Sequence, residues 1–270
     1  MPLPMIAFPP TLGYRPFTRA HLRQRYGPSN PLYEIVETQL AVDVLEFFDD
    51  FIYVTTIPTD TWRVSVNGAG SADFIAAAAQ SNGFIRGDAG TADDGSARLR
   101  SAGNNYTANR RPTLLGRLGM NSAVANSKWE FGFSDGDNDD GAVLVKATPT
   151  STATDYAVII RDTDHNTSID LVTDGTTDAV GLVAGGGIAP TFATQTWYNC
   201  MVALNENREA AFYIDGGFAG IRRAGPDAAT RLCIWAYVQD RDDANNRTLD
   251  IDFVKTWQER VPFSGNAFTT

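Results

Sequence analysis

Apolar and polar residues alternate along most of the chain with a period of two, the repeat that a strand with one buried face requires. Trp62-Arg63-Val64-Ser65-Val66 alternates and stops at Asn67-Gly68, a pair suited to a tight turn. Gly83-Phe84-Ile85-Arg86 is a short run bounded by glycines. Leu114, Gly116, Leu118 and Met120 share one face of a strand. Trp129, Phe131 and Phe133 alternate with Lys128, Glu130 and Gly132, which predicts a half-buried strand. An acidic turn from Ser134 to Gly141 leads into a strand over Ala142–Ala147. Tyr156–Arg161 and Ser168–Val172 flank a polar turn and predict a hairpin. Trp197–Leu204, Ala210–Ile214, Leu232–Val238 and Thr248–Trp257 predict four more strands.

No helical period recurs. Residues 34–48 are the ambiguous stretch: Leu40, Val44, Phe47 and Phe51 fit helical spacing, while Val42, Val44 and Phe48 suit a strand. A short helix or turn leading into a first strand near Leu45–Tyr53 satisfies both. Many short strands separated by Gly, Asn and Asp predict an all-β sandwich or barrel. No composition break divides residues 45–262, so residues 34–270 form one predicted domain.

Residues 1–33 follow neither period. Seven of the 13 prolines lie there, and proline removes backbone donors and fixes φ, so the segment cannot enter a sheet interior. It carries Phe8, Tyr14, Phe17, Tyr26 and Tyr33, more aromatics than a merely solvated tail has. The expectation is an extended arm that docks on a partner or on its own domain.

Charge sharpens this division. The chain has 270 residues and a net charge of −10, yet Arg15, Arg19, Arg23 and Arg25 give residues 1–31 a charge of +4 with no acid. The remainder therefore carries −14. An acidic body argues against nonspecific nucleic-acid binding, which depends on Lys and Arg at phosphates. No apolar run nears the ~20 residues needed to cross a bilayer. The start, Met1-Pro2-Leu3-Pro4, lacks the charged start and apolar block of a signal peptide, so synthesis in a cytoplasm is expected. On that basis the sequons at Asn105, Asn166 and Asn246 are read as chance.

Chemistry-bearing residues are sparse. Cys200 and Cys233 lie in apolar strand-like runs and are expected to be buried free thiols, although pairing stays open at this level. His21 sits in the arm and His165 in a polar turn; neither stands near a nucleophile motif, and two histidines with two cysteines fit no zinc spacing. Gly185-Gly186-Gly187 lacks the following lysine and helix of a phosphate loop. Arg86-Gly87-Asp88 matches a cell-adhesion tripeptide and is read as a chance turn. Asp135, Asp137 and Asp139 alternate in an acidic loop and form a candidate calcium site. Asp140 and Lys146 stand where an EF-hand loop needs Gly and Glu, so a solvated turn is the competing reading. Tyr106, Trp235 and Trp257 are candidates for stacking on sugar rings, weighed against places in the core or an interface.

Three segments carry a resemblance to a known superfamily. Trp197-Tyr198-Asn199-Cys200-Met201-Val202-Ala203-Leu204, Ala210-Ala211-Phe212-Tyr213-Ile214-Asp215-Gly216-Gly217 and Thr248-Leu249-Asp250-Ile251-Asp252-Phe253-Val254 resemble consecutive strands of concanavalin A-like lectins and glucanases, including laminin-G-like members. Phe47-Phe48-Asp49-Asp50-Phe51 resembles the start of such domains, and Trp129-Glu130-Phe131-Gly132-Phe133 a central strand. The resemblance implies a concanavalin A-like jelly-roll β-sandwich over residues 45–260. Glucanases of the superfamily use a Glu-x-Asp-x-Glu strand, which is absent. Asp250 and Asp252 share a strand face but read as solvent-facing carboxylates opposite an apolar face of Leu249, Ile251 and Phe253. No enzymatic activity is therefore expected. Calcium binding in related lectins keeps the acidic loop in view.

The organisation also resembles bacteriophage structural proteins, with an arm rich in Pro and Arg ahead of a lectin-like jelly roll. This resemblance implies a capsid decoration or cement protein on the virion surface, made in the host cytoplasm. It would be a homotrimer bound to the major capsid protein or other virion proteins. Tyr14, Arg15, Phe17, Arg19, Arg23, Arg25 and Tyr26 would form the partner-binding arm. The alternative is a carbohydrate-binding module on a virion or host-facing surface.

Overall fold

The computed structural model describes residues 44–52, 56–67, 73–76, 83–122, 124–136, 144–145, 150–151, 153–164, 166–175, 192–241 and 245–259. The 1–33 arm and its seven candidate residues, residues 34–43, His165 and the Gly185–Gly187 run lie outside them.

Sixteen strands make up the described chain. The first five are β1 (Val44–Asp49), β2 (Trp62–Asn67), β3 (Asp73–Ala76), β4 (Ile85–Asp88) and β5 (Ser96–Ser101). Next come β6 (Thr113–Met120), β7 (Ser127–Ser134), β8 (Leu144–Val145), β9 (Thr150–Ser151), β10 (Tyr156–Asp162) and β11 (Asn166–Asp174). The last five are β12 (Trp197–Leu204), β13 (Ala210–Ile214), β14 (Gly217–Arg222), β15 (Cys233–Asp240) and β16 (Thr248–Glu259). A larger sheet runs β14-β13-β12-β6-β16-β4-β3, with β1 also paired to β16; a six-stranded sheet runs β11-β10-β7-β15-β5-β2. All pairings within both sheets are antiparallel. The two sheets face each other across one core, which makes the chain a jelly-roll sandwich.

The core is built by the alternation read from the sequence. Leu114 and Leu118 of β6, Trp129, Phe131 and Phe133 of β7, Cys200 and Val202 of β12, and Phe212 of β13 all point inward. Gly116 lies on the same face as Leu114 and Leu118, and a Cβ there would stand 2.4 Å from Cζ of Phe131. The missing side chain is what admits the Phe131 ring between the sheets.

Three departures from simple alternation matter. First, β7 is buried along its whole length rather than half-buried. It lies at the centre of its sheet, between β10 and β15, and its outward positions are flanked on the same face by a second buried cluster that includes Tyr156, Val158, Ile160, Trp235 and Tyr237. Second, β16 carries a bulge between Ile251 and Phe253. The inward face passes from Leu249 and Ile251 to Val254, so Phe253 is only partly buried and turns outward. Third, β3, β5 and β14 appear where the sequence showed no clear alternation. The β13–β14 turn is built on Asp215 and Gly216, with φ of 50° and 77°.

The first strand is shorter than expected. It ends at Asp49, and Phe51 takes a φ of 51° while its N–H bonds Asp49 Oδ1 at 2.9 Å. The same Asp49 accepts a bond from Trp62 Nε1 at 2.7 Å, which ties β1 to β2 across the sandwich. Arg86-Gly87-Asp88 is strand β4, not a turn. Its Arg86 forms an ion pair with Asp250 at 2.7 Å. Asp250 is therefore buried on a covered part of the sheet, and the solvent-facing reading of it is corrected. Among the described residues no helix is long and apolar enough to cross a membrane.

Candidate functional site

Among the described residues, two regions concentrate polar chemistry. The first is the outward face of the six-stranded sheet. Lys128 and Glu130 sit two apart on β7, so period two places both on this face. Lys128 Nζ lies 3.2 Å from Glu130 Oε1 and 3.9 Å from Asp162 Oδ2, with all three side chains fully buried. Trp235 Nε1 donates to the other Glu130 oxygen at 2.9 Å, and Arg241 Nη2 to Asp162 Oδ2 at 2.9 Å. The rings of Trp235 and Tyr237 stack at 6.4 Å, with Arg98 over the first and Lys128 over the second. Burial pushes the Lys128 ammonium below the usual lysine range, against the opposing pull of Glu130 and Asp162. It also pushes the Tyr237 phenol well up. Glu130 and Asp162 are thus both buried and paired, which ties β7, β10 and the Arg241 segment together.

The second region is a pocket of about 350 Å³ lined by Leu45, Glu46, Phe47, Asn105, Tyr106, Arg110, Thr256 and Gln258. Its floor comes from β1 and β16, paired here from Val44 with Glu259 to Asp49 with Val254. Its rim is the 105–111 loop. That loop is pinned by backbone bonds of Tyr106 to Leu232 at 3.1 and 2.8 Å, and of Asn109 N to the Ala228 carbonyl at 2.9 Å. A short 3-10 turn, Ala108–Arg110, closes against Arg111 in the left-handed region at φ 49°.

Within the pocket the side chains are held in different ways. Tyr106, 7% exposed, packs on Phe133 at 5.4 Å between ring centres and shares a hydrogen bond with Thr256 Oγ1 at 2.9 Å. Burial raises its phenol above the ordinary range. Phe47 packs edge-on to Trp62 at 5.8 Å. Glu46 is paired with Lys255 at 2.7 Å. Gln258 donates Nε2 to the Asn105 carbonyl at 2.9 Å. The Arg110 guanidinium has no ion pair or side-chain hydrogen bond among the described residues, in contrast to Arg111, whose Nε lies 2.7 Å from Glu206.

The residues singled out in the sequence fall unevenly on this geometry. All three sugar-stacking candidates are buried, Trp235 at 1%, Trp257 at 5% and Tyr106 at 7% exposed, which favours the core reading; Tyr106 alone of them borders the pocket. The other pocket residues carry no site signal in the sequence: Phe47 stands out there only within the Phe47–Phe51 segment, and the rest meet it only through the pairing of β1 with β16. Asp135 spends its oxygens on Thr154 N (3.1 Å), Thr154 Oγ1 and Asp155 N (3.1 Å), bonds that a calcium ion would have to displace. Asp137 and Asp139 lie outside the described residues. Among the described residues no three His, Cys, Asp or Glu side chains form a metal-binding group. Cys200 and Cys233 are free and buried in different clusters, so no disulfide joins them.

Several solved structures share the fold. The carbohydrate recognition domain of Emp47p superposes with a TM-score of 0.52 at 11% identity, covering 81% of this chain and 98% of that one. A glycoside hydrolase family 16 endo-glucanase from Bacteroides ovatus superposes with a TM-score of 0.52 at 12% identity, covering 78% and 99%. A protein of unknown function from Shewanella oneidensis gives 0.50 at 13% identity, covering 85% and 96%. At such identities the likeness establishes the fold, a concanavalin A-like jelly-roll sandwich. No protein-family model and no curated protein matches the chain.

Proposed function

We propose that this chain is a non-catalytic glycan-binding module that holds a short saccharide in the pocket between β1, β16 and the 105–111 loop. The carrying observation is the pocket's lining, in which Phe47 and the edge of the buried Tyr106 stand beside the polar residues Asn105, Arg110 and Gln258. Sugars need this pairing, since their C–H faces pack on aromatic rings while their hydroxyls seek amides, carboxylates and guanidinium groups. A volume of about 350 Å³ suits one or two sugar rings. The fold shared with a carbohydrate recognition domain and an endo-glucanase supports the same reading.

Binding without cleavage is the second half of the proposal. Retaining hydrolysis needs two carboxyl groups about 5–5.5 Å apart at the scissile bond. Glu46 is the one acidic residue among those lining the pocket, and its carboxylate pairs with Lys255 on the face of β1 opposite Phe47. The Glu-x-Asp-x-Glu strand of the glucanases is absent from the sequence.

A glycan array followed by calorimetry tests the proposal. Retention of at least one saccharide, lost in Asn105→Trp, where an indole fills the pocket mouth from an exposed position, is the expected result. An array with no retained glycan would overturn it, and release of reducing ends from any retained glycan would overturn the non-catalytic half.

A virion role is the second reading, favoured by the charge division between the +4 of residues 1–31 and the −14 of the rest. In that reading Arg15, Arg19, Arg23 and Arg25 pair with carboxylates of the major capsid protein, and Tyr14, Phe17 and Tyr26 fill its pockets. Deleting residues 1–31 would then abolish co-sedimentation with capsid shells and leave the melting temperature unchanged. Shell binding by the shortened chain would sink it.

A further inference from the structure

We infer that the pocket selects an acidic sugar, one whose carboxylate or sulfate is held by Arg110. The inference rests on the glycan-binding reading and adds the ligand's charge to it.

Two adjacent arginines have opposite fates. Arg111 spends its guanidinium on Glu206, with Nε and Nη2 at 2.7 and 3.2 Å from the two carboxylate oxygens, and lies 3.7 Å from Glu259. Arg110, one residue earlier, lines the pocket and has no such partner among the described residues. The loop cannot easily swing Arg110 away to find one. Its backbone N–H bonds the Thr107 carbonyl at 2.9 Å, and the flanking Asn109 and Arg111 N–H groups are bonded too, at 2.9 and 3.0 Å.

The rest of the lining leaves Arg110 as the charge a ligand would meet. Glu46 is neutralised by Lys255 at 2.7 Å. Asn105, Tyr106, Thr256 and Gln258 are uncharged at neutral pH. A guanidinium is always protonated, and its fork presents two parallel donors that match a carboxylate or sulfate better than a single hydroxyl. Charge-assisted bonds of this kind are about twice as strong as neutral ones. The net charge of −10 does not outweigh them, because exposed charges beyond about 8 Å are largely screened at physiological salt. The ring of the same sugar would pack on Tyr106 and Phe47, and its hydroxyls would meet Asn105 and Gln258.

Amide-resolved NMR titration of the full chain tests this with methyl glucuronide, glucose 6-sulfate and methyl glucoside. Arg110→Gln serves as the variant, with its melting temperature expected to match the parent's. Support would be shifts at residues 45–47, 105–110 and 256–258 with an acidic sugar, at least ten-fold weaker binding of the glucoside, and loss of that difference in Arg110→Gln. A response to the glucuronide alone identifies the oxyanion as a carboxylate; a response to the 6-sulfate alone identifies it as a sulfate. Equal binding of all three sugars, unchanged in Arg110→Gln, would overturn the acidic-sugar inference and leave the glycan-binding reading intact. Equal shifts from acetate or inorganic sulfate alone would overturn the inference by showing a bare anion site. No binding by these sugars, together with an empty glycan array, would overturn both.

Discussion

Lys128 Nζ lies 3.2 Å from Glu130 Oε1 with neither side chain exposed, on what would be the open face of a two-layer sandwich. Burying both ions is costly, and removing one leaves the other uncompensated. Lys128→Met should therefore lower stability by about 3–5 kcal/mol. The double variant Lys128→Met with Glu130→Leu should recover part of the loss. Urea unfolding of the three proteins measures both effects.

The thiols should be silent in the native state. Burial pushes Cys233 up to about 12 and Cys200 higher still, because each thiolate would be stranded among apolar side chains. Neither should react with a thiol-specific disulfide reagent at pH 8, and both should react in strong denaturant. A raised folded pKa favours the neutral thiol, so this contribution is intact below pH 9 and is lost as pH rises from 9 toward 12.

Acid should weaken one identifiable contact. The Arg111 guanidinium holds the Glu206 carboxyl below the ordinary 4.5. Its stabilisation is present above pH 4.5 and lost as pH falls below that value toward the folded pKa. Glu206→Gln should flatten the decline in melting temperature over that acid limb and leave the slope near pH 7 unchanged. Thermal melts at half-unit steps in pH read the difference.

A single methyl group should disrupt the six-stranded sheet. A Cβ on Gly132 of β7 would fall 2.1 Å from the Ala157 carbonyl oxygen and 2.8 Å from the Val158 Cα on β10. Both are backbone atoms of a paired strand and cannot rotate away. Gly132→Ala should cost about 1–3 kcal/mol, the range of overpacked core sites, measurable by denaturant unfolding.

Much of this architecture is legible in local pattern. The alternation of Trp129, Phe131 and Phe133, and of Leu114, Leu118 and Met120, identifies core-facing positions, because a strand's side chains must divide between two faces whatever the strand pairs with. The hairpin of β10 and β11 and the strands β12, β13, β15 and β16 follow from the same rule. The free, buried state of Cys200 and Cys233 follows from their apolar surroundings. Weak segments such as Asp73–Ala76 and Ser96–Ser101 do not show, since their strand state comes from neighbours that complete their hydrogen bonds.

What lies beyond local pattern is whatever depends on which strands become neighbours. Alternation says that Lys128 and Glu130 face away from Trp129; it cannot say that this second face is buried as well. A bulge at Asp252 inverts the faces of β16 without a mark in the sequence. The pocket is the sharpest case, because Phe47, Tyr106, Arg110 and Gln258 are scattered over more than two hundred residues and converge only when β1 pairs with the end of β16. Side-chain periodicity is a property of a few consecutive residues and is written into the chain. A binding site assembled from distant strands is a property of their pairing, and only the tertiary structure decides it.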